Sequence, residues 1–584
     1  MKSLATKVIL NLLGVLCVLG ASGLSFALDR EAFSITNYDL NLQIDRAQHR
    51  LGVRGKITLR NDTALPQKVA VLQISSSLDW RAIRAGGKAV QYLTQPFASD
   101  IDHTGALSEA IVTLPQAVAP HSTVELEIGY EGVIALDATR LTRIGTPQDA
   151  AKASDWDQIG PAFSAIRGVG YVAWYPIATD VANLSEGDSL FEALNRWKTR
   201  EDGSLMKISL QDPRVAGDPT TLVFVCNGKL VRGGTNPSTS SFAWAQCSYT
   251  DLGESVPSFA LANYGVVDRP SMEIFNLPAH AAAAEAYADA AEKAAPLINE
   301  WFGSLRNKAQ TVDLSDDDSA PFETGSLLFT PLLNSGSNRM GLSTAHQLTH
   351  AAFFSPRPWI EEGLAHFAQA LYLEQQNGRQ AAIDYIAKHR SILNTIEASE
   401  AVPGSSDEAK DEASRALVST INEALYRSKA MCVWWMLRDM IGPAALKKAI
   451  AAYRPDQDKD PSYMPRLIAS QTPRDLEWFF DDWVYRDHGL PDFKVESAFS
   501  RKTLNETFIL TVTIDNLGGA GAEVPVIVKF AGGEAKKRLE VHAKDKATIR
   551  LETPAAPDEI IVNDGSVPES NTENNNFKVS PPES

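Results

Sequence analysis

From residue 33 to about 270, apolar and polar residues alternate with period two, as in Tyr38/Leu40/Leu42/Ile44, Val53/Gly55/Ile57/Leu59 and Val124/Leu126/Ile128/Tyr130. Such alternation puts one face of a strand in a core and the other in water, which predicts an antiparallel β domain. Within it, Tyr171-Val-Ala-Trp-Tyr-Pro176 reads as core aromatics and Asn227-Gly228 as the turn of a hairpin. The period changes at His280. An alanine-rich helical run from Ala281 to Trp301 stops at Gly303, and an acidic loop then passes Asp313, Asp316, Asp317 and Asp318 on its way to Leu328. Two helical runs follow, one from Ser343 to Ala351 and one opening at Pro358. The polar stretch from Glu397 to Glu412 predicts a surface loop or lid, and helix resumes from Ile421 to Ile441 before Gly442-Pro443. Trp478-Phe-Phe-Asp-Asp-Trp483 reads as a core aromatic cluster. Beyond Gly489-Leu-Pro491, period two returns in Phe508/Leu510/Val512/Ile514 and Val524/Val526/Val528/Phe530, a small β-sandwich with a loose tail from Val567.

This order predicts a multidomain α+β protein with an N-terminal β domain over 28–270, a mostly helical domain over 271–490 and a β-sandwich with its tail over 491–584. The 584 residues, 44% of them hydrophobic, suffice for several cores. A formal charge of −17 argues against nucleic acid and anionic membrane surfaces as partners, because both demand clustered Lys and Arg. Residues 1–27 predict a secretory signal peptide: Lys2 and Lys7, an apolar run from Val8 to about Leu19, then Ser25-Phe-Ala27 as a small-x-small cleavage site. An uncleaved anchor is the competing reading, but the run is short for a span. The expected protein is therefore exported, periplasmic or extracellular, with no membrane span after cleavage. In such a compartment Cys226 and Cys247, on two strand-like runs, either pair or remain buried thiols.

The stretch that carries chemistry is Ser343-Thr-Ala-His-Gln-Leu-Thr-His-Ala351, followed by Trp359-Ile-Glu-Glu-Gly-Leu-Ala-His-Phe367. His346 and His350 stand four apart, so a helix presents both imidazoles on one face, one turn apart, to a single metal. They make half of a tetrahedral zinc shell, and Glu361 or Glu362 on the next helix can extend it. Gly363 is expected to let the two helices approach closely. In the H-E-x-x-H pattern of zinc peptidases a glutamate general base follows the first histidine, and here that residue is Gln347.

Glu323, His346, Gln347, His350, Glu362 and Tyr426 occur in an order that resembles the aminopeptidase N (membrane alanyl aminopeptidase) family and, more broadly, the gluzincin metallopeptidases of the peptidase MA clan. The resemblance implies an antiparallel β saddle domain, a thermolysin-like catalytic domain and a C-terminal Ig-like β-sandwich. It implies one Zn2+ per chain on His346, His350 and Glu362, with Glu361 at the asparagine position of the family's W-x-N-E-G-x-A motif. Glu323, 23 residues before His346 (346 minus 323), matches the glutamate that binds a substrate's free amino group, with Thr324 in place of the usual asparagine. Tyr426, with Lys429, resembles the oxyanion-stabilising tyrosine of a Y-x-K-G motif, Ala430 replacing the glycine. The gap from His350 to Glu362 is shorter than in the aminopeptidases, Gln369 stands where a carboxylate is common, and His366 follows Glu362 by one turn. The implied activity is hydrolysis of peptide bonds through a zinc-bound water. The alternative is a pseudopeptidase that keeps zinc and binds peptide amino termini, because an amide at Gln347 cannot accept the proton that a glutamate takes. Glu361 is the nearby candidate for a substitute base. A multidomain β-rich adhesion or carbohydrate-binding protein with a decayed helical insert is the third reading, and intact ligands count against it.

Overall fold

The computed structural model describes residues 28–579, apart from 187–188, 212–220, 234–242, 333–336, 401–415 and 421. The expected signal peptide and most of the polar stretch that ends at Glu412 lie outside the described residues; the helix before that stretch, Arg379–Glu400, extends into it.

The molecule is multidomain α+β. Its N-terminal part is built on an eight-stranded sheet beside three- and four-stranded sheets. The alternation seen in the sequence is the physical cause: Tyr38, Leu40, Leu42 and Ile44 are buried in the strand Phe33–Asp45, and the residues between them face outward. The sheet is antiparallel except at one seam, where Phe33–Asp45 runs parallel to Leu205–Gln211 with Leu40 opposite Ile208. Asn227-Gly228 does not close a hairpin. Val223–Cys226 belongs to the four-stranded sheet and Lys229–Gly233 to the eight-stranded one, so the turn carries the chain from one sheet to the other. The Asn227 amide fixes that corner, donating to Val256 O at 2.9 Å and Thr324 Oγ1 at 3.2 Å and accepting from Tyr249 Oη at 2.8 Å. Cys226 and Cys247, one on each of these sheets, form a disulfide.

The middle of the chain is a mixed five-stranded sheet covered by helices. The stretch expected as a loop after Gly303 supplies three of its strands, Ala309–Asp313, Phe322–Thr324 and Leu327–Thr330. Their runs are too short to announce themselves by alternation. The helix Ala281–Phe302 ends where Gly303 adopts φ +87°, a left-handed conformation that glycine accepts without strain. The histidine helix is Ser337–Ala352 and the glutamate helix Pro358–Asn377. The two are brought together by Gly341, where any Cβ would collide with the Tyr372 ring. Gly363 serves a different contact: a Cβ there would stand 2.7 Å from Ala430 Cβ, so it seats the glutamate helix on the helix Ala430–Ile441. Trp359 stacks on Trp434 at 5.3 Å between ring centres and locks this second pair.

Two further sheets, of three and four strands, form the C-terminal part, and their facing residues Leu510, Val512, Ile514, Val524, Val526 and Val528 are buried. This part docks on the helices through polar ties: Trp483 Nε1 donates to Gly521 O at 2.7 Å, and Gly521 N donates to Asp482 Oδ2 at 2.8 Å. Phe479, Phe480 and Trp483 are buried, in keeping with a core cluster. Among the described residues no helix is long and apolar enough to cross a membrane.

Candidate metal centre

The histidine helix turns Ala345, Leu348 and Ala351 into the core, and its opposite edge carries the partly exposed His346 and the more buried His350. Their Nε2 atoms face each other at 3.2 Å. Glu362, just past the first turn of the glutamate helix, straddles the pair: Oε1 lies 3.6 Å from His350 Nε2 and Oε2 lies 3.9 Å from His346 Nε2. Glu323 arrives from a third element, the edge strand Phe322–Thr324, with Oε2 3.3 Å from His346 Nε2. One atom each of Glu323, His346 and His350 lies within 4.8 Å of the other two. Glu323, His346 and His350 thus bring nitrogen and carboxylate donors together, with Glu362 flanking both histidines, a donor set suited to zinc.

The strand that brings Glu323 is braced by the N-terminal part. Phe322 packs edge-on against Tyr171 at 5.0 Å, and the Arg167 guanidinium lies 3.6 Å over the Tyr171 ring and 4.0 Å over Trp156. Arg167 is itself held by Asp157 at 2.6 Å. Trp174 and Tyr175 are fully buried core residues, so the aromatic stretch serves packing at one end and the site at the other.

Electrostatics follow from this crowding. Burial disfavours a charged His350, but Glu323, Glu361 and Glu362 outweigh it and hold its pKa up at about 10. Burial opposes ionisation of Glu362, yet His350, His346 and Arg427 bring its pKa down to about 2. A carboxylate–imidazolium cluster of this kind has donors preset for a divalent cation that replaces the protons.

Glu361 occupies a different place from a base on the metal side. Its Oε1 lies 3.6 Å from His350 Nδ1, the ring nitrogen turned away from the cluster, where a carboxylate fixes the tautomer and orientation of a ligating imidazole. Gln347 is fully buried and points into the core. Its Nε2 donates to Gln310 O at 2.7 Å, and its Oε1 accepts from Thr311 Oγ1 at 3.0 Å and Tyr287 Oη at 3.5 Å. Both ends of the amide are thereby engaged in tying the histidine helix to the strand Ala309–Asp313.

Tyr426 and Arg427 lie in a π-helical turn, Leu425–Lys429. Tyr426 is partly buried and near enough to Glu362 to feel its charge, and burial, the larger cause, raises its phenol pKa. Lys429 is buried and paired with Asp487 at 2.6 Å, a structural ion pair. Gln369 ties the two site helices, donating to Leu342 O at 3.1 Å and accepting from Tyr385 Oη at 2.7 Å. His366 packs edge-on against His346, 5.0 Å between ring centres, and neither of its ring nitrogens has a hydrogen-bond partner among the described residues. Burial and the neighbouring His346 push its pKa well below the usual value, so it is a neutral imidazole behind the cluster.

Sequence reasoning missed Arg427. Its Nε donates to Glu362 Oε2 at 3.1 Å while its other arm pairs with Glu423. Only the π turn, which no spacing rule announces, brings it onto the glutamate. A cavity of about 320 Å³, its lining including Tyr287, Ser343, Arg339 and Asp317, takes in none of the clustered donors.

No protein-family model matches the sequence, and no curated protein matches it. Among solved structures the chain is similar to an M1 zinc metallopeptidase from Deinococcus radiodurans. It is 15% identical to a mutant of that enzyme bound to a Tyr-Ser-Ala substrate, over 78% of this chain and 94% of that one, with a TM-score of 0.48. A further crystal structure of the same enzyme gives 15% identity, the same coverage and a TM-score of 0.47.

Proposed function

We propose that this chain is an exported zinc protein of the aminopeptidase type that binds the amino end of a peptide and hydrolyses it slowly at best. The observation that carries the reading is the clustering of Glu323, His346 and His350, with Glu362 flanking both histidines and Glu361 behind His350 to orient it. Zinc bound there supplies a Lewis acid that polarises a peptide carbonyl. The residues around it have separable roles. Glu362 and the two histidines hold the ion. Glu323, on the side braced by Phe322 and Tyr171, offers a carboxylate to a peptide's ammonium group. Tyr426 offers a phenol that keeps its proton and can donate to a developing oxyanion.

The missing role is the proton carrier. Gln347 has no acidic proton to exchange, and its amide is already committed to Gln310 and Thr311. Loss of a positioned acid–base group is commonly worth ~10²–10⁴ in rate. Efficient peptide hydrolysis is the second reading, favoured by the completeness of the donor set, and it requires another base.

A fluorogenic alanyl-amide assay on the zinc-loaded natural protein separates the two. The expected turnover lies far below the ~1–10³ s⁻¹ typical of enzymes, while calorimetry detects peptide binding that depends on a free amino group. Turnover within that ordinary range would establish the efficient enzyme instead.

A further inference from the structure

We propose that in the resting protein Glu323 is itself a zinc ligand, so that the centre is a closed tetrahedron of two histidines and two glutamates. The inference rests on the zinc reading above and adds a statement about its coordination.

In a tetrahedral zinc site with bonds of about 2.0–2.1 Å, neighbouring donor atoms stand about 3.3 Å apart. Three of the donors approach that edge length before any ion is considered: 3.2 Å between the two histidine nitrogens and 3.3 Å from Glu323 to His346, while Glu362 flanks them with one oxygen 3.6 Å from His350 and the other 3.9 Å from His346. Glu323 is nearer to His346 than Glu362 is, and it also satisfies mutual proximity with both histidines. A residue reserved for a peptide ammonium would stand back from the ion by the width of the substrate. Glu323 does not stand back. Its Oε1 is buried and has no hydrogen-bond partner, so nothing among the described residues holds the carboxylate away from the donors.

Closed four-ligand zinc sites are structural, and catalytic ones keep a position open. Glu323 in the fourth position leaves no room for a water, and Gln347 leaves no base to activate one. These two features, on different elements, lead to the same quiescent centre. Hydrolysis would require a peptide's ammonium to draw Glu323 off the metal first.

The test uses the full-length protein loaded with cobalt(II) in place of zinc, its visible spectrum recorded before and after acetohydroxamate, a chelator that needs an open coordination position. In the natural protein the spectrum is expected to be four-coordinate and unmoved by acetohydroxamate. In Glu323→Gln it is expected to shift on addition. Zinc affinity of that variant, measured by competition with a chelating dye, should fall at least about tenfold, since losing even an outer partner of a ligand costs roughly 10- to 100-fold. A hydroxamate-induced shift in the natural protein overturns the closed site while leaving the zinc assignment standing, and this arm depends on no variant folding. Failure of the natural protein to bind cobalt or zinc overturns both.

Discussion

At position 347 an amide does what a carboxylate cannot, because it donates to Gln310 O on one side and accepts from Thr311 on the other. Gln347→Glu would face a carbonyl oxygen with a carboxylate and leave both unsatisfied. We expect it to destabilise the fold by about 1–3 kcal/mol or more, read as a lower midpoint in urea, and to restore little hydrolysis, because the side chain is turned to Gln310 and Thr311 in the core. A variant as stable as the natural protein that also cleaves peptides would show that the side chain can turn toward the metal. At this scale the sequence made His346, His350, Glu362 and Glu323 legible through spacing and order. It left Arg427 invisible, because the contact with Glu362 depends on the local π turn. It also left the aim of Glu361 open, since two adjacent helical residues differ by about 100° around the axis and only packing decides which faces the metal.

At the scale of elements, the site depends on how closely the histidine and glutamate helices approach. Gly341→Ala would press a methyl group into the Tyr372 ring and push the two apart. Overpacking of this kind commonly costs about 1–3 kcal/mol, and because the ligands ride on both helices, zinc affinity should fall with stability. Unchanged zinc affinity in a destabilised Gly341→Ala would mean that the helices move as one body. The helices were readable from period and stop signals. The strand carrying Glu323 was not, since Phe322–Thr324 has only three residues and exists because Leu327–Thr330 pairs with it and Tyr171 packs on Phe322. Asn227-Gly228 misled for a related reason: a turn signal says that the chain bends, and tertiary packing decides whether it bends back on itself or into another sheet.

At the scale of the molecule, the N-terminal part braces the strand that carries Glu323 and has its own points of stress. The Cys226–Cys247 link, closing a separation of 21 residues, should contribute about 3 kcal/mol by restricting the unfolded chain; replacing both with serine, or reduction, should lower the denaturation midpoint accordingly. Glu201 is buried, accepts from Ile35 N at 3.1 Å, and burial raises its pKa from 4.5 to about 7. A folded pKa above the unfolded one means that folding takes up a proton between the two values, so this stability is fully present below pH 4.5 and is lost as pH rises to about 7. Glu201→Gln should remove that loss and leave the protein more stable than the natural form at pH 8, as urea denaturation at both pH values would show. A larger deficit for the variant at pH 8 would mean that the charged carboxylate is stabilised in place. Both of these features sit on the scaffold that positions Glu323, and the claim that the scaffold serves a metal can be tested alone. Elemental analysis of the purified full-length protein, equilibrated with zinc and desalted, should find one zinc per chain, falling to background in His346→Ala/His350→Ala. A zinc-free natural protein, or a variant that retains equimolar zinc, would contradict the account.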